Sequence, residues 1–203
     1  MIELHHLNAS RSRRITWLLE ELGVDYTLVA HQRDAATNLA PASLEAIHPL
    51  GKAPVIRDDG FVVFESGAII DYLIRRYGNG RLSPAAGSRE YERYVQFLHY
   101  AEGSAMLPLM LRLYVGRLGE AGAPLMPRID SETRKHLGFL NRSLEAREWF
   151  VGDSLTGADV QLSFVAQVGV MFNGREAFPE LTRFVDRVEA RPAYQRAIAR
   201  AGA

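Results

Sequence analysis

The chain predicts a small α/β unit followed by an all-helical one, and three observations carry that prediction. Strand-like and helix-like stretches alternate from Ile2 to Tyr77. Strand patterning stops beyond Gly78-Asn79-Gly80, and Gly, Ser and Pro mark residues 79–88 as a linker. Past the linker, apolar residues recur only at helical spacing. A length of 203 residues accommodates one ordinary domain or two small ones. The composition, 47% hydrophobic and 24% charged, is globular, which excludes a disordered chain, a collagen-like one and a bare coiled coil.

Residues 2–7 form a short strand candidate. Residues 13–22 predict a helix, because Ile15, Leu18, Leu19 and Leu22 fall at i, i+3, i+4 and i+7 and Gly23 follows as a stop. Residues 26–31 are β-branched and aromatic enough for a second strand. Short connections then imply a parallel strand pair with a right-handed crossover. A short helix is expected over 41–47, ended by His48-Pro49. Two apolar runs, 54–57 and 61–64, flank Asp58-Asp59-Gly60, a hairpin signal that makes them antiparallel. Residues 66–77 read as a helix with Ile69 and Leu73 on one face. The order β-α-β-α-β-β-α is thioredoxin-like.

In the second half Tyr94, Phe97, Leu98 and Ala101 make one helical stripe, Leu137, Leu140 and Leu144 another, and Leu181, Phe184, Val185 and Val188 a third. Pro108 should kink the first long helix, residues 89–116, or help to end it. Gly116, Gly119, Gly122, Pro124 and Pro127 separate that helix from the next. Thr156-Gly157-Ala158-Asp159 reads as a capping box pinning a buried helix that carries Leu162 and Val165. The expected division is 1–78 for the thioredoxin-like domain, 79–88 for the linker and 89–203 for the helical domain.

Several classes of function drop out. With 24 Lys+Arg against 24 Asp+Glu the net charge is zero, so broad electrostatic capture of nucleic acid or an anionic membrane is not expected. No apolar run reaches ~18 residues, the length a membrane-spanning helix needs. The opening Met1-Ile2-Glu3-Leu4-His5-His6 lacks the basic and apolar regions of an export signal. Cysteine is absent, which fits a cytoplasmic protein and excludes disulfides, an enzyme thiolate and Cys-ligated metal. Gly51-Lys52 is not a phosphate loop, since Ala46 and Ala53 stand where Gly and Ser or Thr belong. No G-x-S-x-G is present. Adjacent His5 and His6 point to opposite faces of a strand, so no metal site is expected.

Three short stretches carry the chemistry. In His48-Pro49-Leu50-Gly51-Lys52-Ala53-Pro54-Val55-Ile56, Pro54 opens the third strand, either as a plain edge-strand start or after a cis Ala53–Pro54 bond. In the cis case the backbone of Ala53 would face a ligand, and an extended peptide could pair with it as an added strand. Glu65-Ser66-Gly67 opens the next helix. Ser66 serves there as a helix cap, or its hydroxyl and the free amides bind a carboxylate while Glu65 takes an ammonium. An α-amino acid head group carries both charges. Asn8-Ala9-Ser10-Arg11-Ser12-Arg13-Arg14 joins the first strand to the first helix. Ser10 or Ser12 is a cap and the arginines a solvated turn, or the positive helix end favours a ligand thiolate.

With these stretches in this order, the chain resembles the soluble glutathione S-transferases. The resemblance rests on Pro49-x-Gly51-Lys52-x-Pro54, Glu65-Ser66, Gly152-Asp153-Ser154-x-Thr156-x-Ala158-Asp159, and Leu7-Asn8-Ala9-Ser10-Arg11-Ser12 followed by Trp17-Leu18-Leu19-Glu20-Glu21-Leu22-Gly23, which looks like a microbial branch. It implies glutathione as co-substrate, with no tightly bound cofactor. Ala53 beside cis-Pro54 would pair with the cysteinyl backbone, Glu65 and Ser66 would hold the γ-glutamyl group, and Lys52 would reach the glycyl carboxylate. The activity implied is thiolate attack on a small hydrophobic electrophile, by a homodimer. The co-substrate pocket would lie between the domains, with Met106, Leu109, Met110 and Tyr114 as candidate lining. The departure is at the catalytic position. The family's usual Ser or Cys falls on Ala9, and no Tyr lies between Met1 and Gly23. Ser10, Ser12 and Arg11 are the candidate substitutes. The Ser-Ser-Cys signature of the maleylacetoacetate isomerase branch is missing. Two alternatives stay open: a glutathione-dependent peroxidase or disulfide reductase working without an enzyme Cys, and a non-catalytic glutathione-binding protein on the same fold.

Overall fold

The computed structural model describes residues 1–201. It divides into two compact units, Met1–Ser83 together with the segment from Glu189 onward, and Pro84–Val188.

The first unit is built on a four-stranded sheet of order β2-β1-β3-β4, with β1 Ile2–Leu7, β2 Tyr26–His31, β3 Val55–Asp58 and β4 Phe61–Phe64. β1 and β2 pair in parallel from Ile2↔Tyr26 to Leu7↔His31. β3 runs antiparallel to both β1 and β4, with His5↔Val55 and Val55↔Phe64 in register. The Asp58-Asp59-Gly60 hairpin is present, with Asp59 at φ 47° and Gly60 at φ 86°, the double left-handed turn that suits the strand twist. Asp58 also has a role that its turn position did not suggest. Its buried carboxylate accepts from the Tyr72 and Tyr77 hydroxyls at 2.8 and 2.5 Å and so ties the following helix to β3.

Helix α1, Ser12–Leu22, ends on Gly23 in the left-handed conformation at φ 68°. Its stripe of Ile15, Leu18, Leu19 and Leu22 is buried, and so is Trp17 on the other side. The partner of that other side is α8, Pro192–Ala201. Tyr194 meets Trp17 edge to face with centroids 5.7 Å apart. Arg191 pairs with Glu21, Arg196 with Glu20, and Arg200 donates to the Tyr26 carbonyl at 2.7 Å. The last helix therefore groups with the first unit, where the sequence reading ran the helical domain unbroken from 89 to 203. Its pattern is that of any amphipathic helix and does not say which unit supplies the apolar partner. Helix α2, Ser66–Tyr77, matches its expected span. The helix expected over 41–47 is a single 3₁₀ turn, Ala42–Leu44. Pro41 is extended at its start (φ −74°, ψ 154°), and after Leu44 only a turn follows, with the Ile47 and His48 amides donating to the Leu44 carbonyl, before the chain reaches Pro49.

The second unit is helical throughout: α3 Arg89–Tyr100, α4 Met106–Gly116, α5 Met126–Ser143, α6 Gly157–Asn173 and α7 Pro179–Glu189. All three sequence stripes are buried. Pro108 neither ends nor breaks the long helix. A π turn, Ala101–Ala105, joins α3 to α4 just before it. Pro108 has no N–H for the Ser104 carbonyl, and a widened turn at that place absorbs the misfit. The capping box at Thr156 is complete. Asp159 is fully buried and accepts from the Phe150 amide, the Thr156 amide and the Thr156 hydroxyl, each at 2.8 Å. Burial pushes its carboxyl up to about 6 against the pull of those donors. Among the described residues no helix is long and apolar enough to cross a membrane.

Candidate functional site

One edge of the first unit's sheet gathers the three stretches singled out in the sequence. β1 ends there, β3 begins there and β4 ends there, because β3 is antiparallel to both neighbours. Extending the registers by one step sets Pro54 level with Glu65. Extending β1–β3 by two sets Ala53 level with Leu7. Helices α1 and α2 both start at that edge, so two positive helix ends lie beside the β1–α1 turn and the Ala53–Pro54 step.

The Ala53–Pro54 bond is cis, as the sharper of the two sequence readings expected. Pro54 is buried, Ala53 half-buried and Lys52 exposed. Glu65 occupies the cap position of α2 with φ 68° and ψ 118°, in a region that residues with a Cβ avoid, and its side chain is exposed. Ser66 is the first helical residue, so it does not cap α2 from outside. Its hydroxyl is buried and accepts a hydrogen bond from Arg14 Nη1 at 3.2 Å. Ile69 is the first residue of the helix to donate back, to the Glu65 carbonyl at 2.9 Å. The amides of Ser66, Gly67 and Ala68 precede it, with no acceptor inside the helix.

Sequence reasoning grouped Arg14 with a solvated turn. It is instead 1% exposed and bridges the starts of α1 and α2. The signal was available: Arg14 lies four residues before Leu18, on the buried side of the helix.

At the β1–α1 turn, Arg11 is half-buried and holds the cap position of α1 with φ −61° and ψ −13°. Ser12 opens the helix proper and is fully buried. The Ser10 hydroxyl meets the Leu7 carbonyl at 2.8 Å and Ser12 Oγ at 2.7 Å, and it accepts from the Ser12 amide at 3.2 Å. The Ser12 hydroxyl in turn lies 2.9 Å from His6 Nδ1 and accepts from the Leu7 amide at 3.2 Å. Burial, the Arg13 charge and His31 hold the His6 pKa below its ordinary value, against a hydrogen bond to the Ala201 backbone. His5 points to the other face of the sheet, as expected, with Nδ1 3.2 Å from His31 Nε2. Burial lowers the pKa of both His5 and His31.

Ala9, at the position where the resemblance led one to look for a Ser or Cys, is exposed with φ 47°. In the second unit Met106 and Leu109, two of the four residues considered for a co-substrate pocket, are buried, Met110 is half-buried and Tyr114 is 56% exposed.

A thioredoxin-like sheet with a cis-Pro, a Glu-Ser pair at a helix start and an all-helical companion unit is the architecture that the resemblance implied, and the comparisons agree on the family. The family model for the glutathione S-transferase N-terminal domain matches residues 4–81, and that for the C-terminal domain matches residues 97–192. Glutathione S-transferase 3 of Schizosaccharomyces pombe is 32% identical over 208 residues, covering 95% of this chain and 85% of its own. A crystal structure of a glutathione S-transferase from Actinobacillus pleuropneumoniae superposes with a TM-score of 0.91 at 37% identity, covering 99% of this chain and 93% of that one. A glutathione transferase family member from Pseudomonas fluorescens, solved with two glutathione molecules bound, superposes with a TM-score of 0.82 at 27% identity, covering 97% and 92%. The chain belongs to the glutathione S-transferase family.

Proposed function

We propose that the protein is a glutathione transferase that binds glutathione along the Ala53–Ser66 edge, ionises its thiol at the β1–α1 turn and passes the sulfur to a hydrophobic electrophile. The observation that carries the reading is the register. It sets Ala53–Pro54 level with Leu7 on one side and Glu65 on the other, with Ser66 next in the chain. The carboxylate of Glu65 then takes the γ-glutamyl ammonium. The Ser66 hydroxyl and the first amides of α2 take the neighbouring carboxylate, Ala53 pairs with the cysteinyl backbone and Lys52 meets the glycyl carboxylate.

The thiol has an intrinsic pKa of about 8.5. The start of α1 and a hydrogen bond donated to sulfur favour the thiolate. Lowering the pKa by ~2 amounts to roughly 2.7 kcal/mol, and one charge-assisted hydrogen bond, at ~1.5–3 kcal/mol, is large enough to supply most of it. Among side chains Ser10 ranks first as that donor, then Ser12, then Arg11, and for Ser10 to serve, its proton must turn from the Leu7 carbonyl to the sulfur. In the chemical step the thiolate forms the bond to carbon, the leaving group departs with its electron pair, and the thiol proton goes to solvent. Calorimetric titration with glutathione, followed by turnover of a chlorinated nitroarene, tests the reading. Binding without any rate above buffer would place the chain among non-catalytic glutathione binders.

A second reading is supported by the two glutathiones in the Pseudomonas fluorescens relative and by the absence of Cys in this chain. One bound thiolate attacks a disulfide and expels a thiol. A second glutathione then attacks the mixed disulfide, giving glutathione disulfide and the second thiol. A disulfide-reduction assay with glutathione alone as reductant separates this reading from the transferase.

A further inference from the structure

Arg33 lies outside every motif considered above, just past the end of β2. All its hydrogen bonds run between two turns. Its backbone amide donates to Asn8 Oδ1 at 2.9 Å. Its guanidinium donates from Nε to the Asn8 carbonyl at 3.1 Å and from Nη2 to the Ala9 carbonyl at 3.4 Å. The remaining arm, Nη1, donates to the Asn38 carbonyl at 3.1 Å. Asn38 is held in a left-handed conformation (φ 58°) by a turn that Asp34 organises, accepting from the Thr37 amide and hydroxyl at 2.8 and 2.7 Å. Among the described residues Arg33 has no carboxylate partner. Its guanidinium is spent on backbone carbonyls, two of them in the turn that carries Ser10 and Arg11.

A trans peptide is planar, with its C=O and N–H pointing in opposite directions. The Asn8 carbonyl shares a peptide with the Ala9 amide, and the Ala9 carbonyl shares one with the Ser10 amide. Pulling those two carbonyls toward Arg33 turns the Ala9 and Ser10 amides the other way. The other carbonyls of the turn are taken as well. Leu7 O accepts from the Ser10 hydroxyl, Ser10 O from the Arg13 amide and Arg11 O from the Arg14 amide. Among the described residues the Ala9 and Ser10 amides have no protein acceptor. Ala9 is left-handed at φ 47°, and Arg11 is right-handed at φ −61° and ψ −13°.

We infer that Arg33 is a positioning residue for thiol activation: its grip on the Asn8 and Ala9 carbonyls aims the Ala9 and Ser10 amides, polarised by the charge behind them, at the glutathione sulfur. The inference rests on the glutathione transferase reading, and it assigns to backbone geometry part of the work that the missing side chain at Ala9 would do. Lysine keeps the charge but lacks the planar fork that holds two carbonyls and a third behind them.

The test uses the full chain with glutathione bound, following the thiolate's ultraviolet absorbance against pH in wild type, Arg33→Ala and Arg33→Lys. Binding of S-methylglutathione, which has no thiol to ionise, is measured alongside. Both variants should raise the apparent pKa of the bound thiol by about one pH unit, roughly tenfold in the thiolate-to-thiol ratio at fixed pH, and leave S-methylglutathione affinity within about twofold. An unchanged titration in Arg33→Ala makes Arg33 merely structural and overturns the inference. A wild-type titration in Arg33→Lys overturns it in favour of simple charge. An equal loss of S-methylglutathione binding overturns it in favour of a role in shaping the peptide site. Should Arg33→Ala fail to fold, Asn8→Ala, which removes only the Oδ1 acceptor, must shift the titration in the same direction or the inference falls. A wild type that binds no glutathione defeats the transferase reading itself, a result distinct from all of these.

Discussion

Replacing Ser66 by Ala separates the binding reading from a purely structural one. The Ser66 hydroxyl is buried, accepts from Arg14 Nη1 at 3.2 Å and carries one proton of its own. A γ-glutamyl carboxylate at the start of α2 would receive that proton together with the first amides of the helix. The Ala variant keeps the amides and the helix end and removes one hydrogen bond to a charged acceptor, a loss of ~1.5–3 kcal/mol. Glutathione affinity should therefore fall about 10- to 150-fold, at ~1.4 kcal/mol per tenfold. In the unliganded protein the variant removes an acceptor of Arg14, so the urea unfolding free energy should fall by ~1 kcal/mol. Calorimetry of glutathione binding and urea melts on the same preparations give both numbers. Affinity within twofold of wild type would show that Ser66 serves the Arg14 bridge alone, and the carboxylate site would have to be sought elsewhere.

Asp159→Asn should cost ~2–4 kcal/mol at neutral pH, because an amide cannot accept from all three donors. Its pH dependence has a definite sign. The carboxyl titrates near 6 in the folded chain and near 4 when unfolded, so the native state holds the extra proton between those values. Wild type should gain stability relative to the variant as pH falls from about 6 to about 4, and urea melts showing the gap narrowing would refute this. His5 works in the opposite direction. Burial and His31 lower its pKa, so its neutral form favours folding and that contribution is lost as pH falls below about 6.5; His5→Gln should lose less stability than wild type between pH 7 and 5. By resemblance to the family, residues 66–77 and 89–116 should form a two-fold interface, and a monomer by light scattering at micromolar concentration would exclude it. Ser10→Ala should raise the pKa of the bound thiol by about one to two units if its hydroxyl is the donor; an unchanged titration with ~1 kcal/mol less stability makes it a turn-stabilising residue only.

Apart from the helix expected over 41–47, which is a 3₁₀ turn, the order of elements up to Tyr77 was legible because each signal was local. Leucine spacing gave α1, Asp59-Gly60 gave the hairpin, and Gly23 marked a helix end. The cis-Pro and the Glu65-Ser66 pair were legible because a known order of elements gave them a context. What could not be read depended on distant partners. Nothing in the spacing of α8 says that Trp17, Glu20 and Glu21 are waiting for Tyr194, Arg196 and Arg191. Asp58 reads as a turn residue until the hydroxyls of Tyr72 and Tyr77 arrive from another helix. The π turn before Pro108 is a backbone compromise: a proline in a helix predicts that something must give without saying what.

The same distinction bears on the thiol. A side-chain donor leaves a mark in the sequence, and a search by residue type finds Ser10, Ser12 and Arg11 and then stops at Ala9. Both hydroxyls are engaged within the turn: Ser10 lies against the Leu7 carbonyl and Ser12 against His6. A backbone donor leaves no such mark, because every residue except proline has an N–H. Its direction is set by whatever holds the carbonyl of the same peptide, and here that is an arginine 24 and 25 residues away in sequence from the carbonyls it grips. If the bound thiolate is stabilised in this way, Ala9 is a workable choice at its position. What the turn requires there is a left-handed backbone and an amide aimed at sulfur, and the side chain can be small.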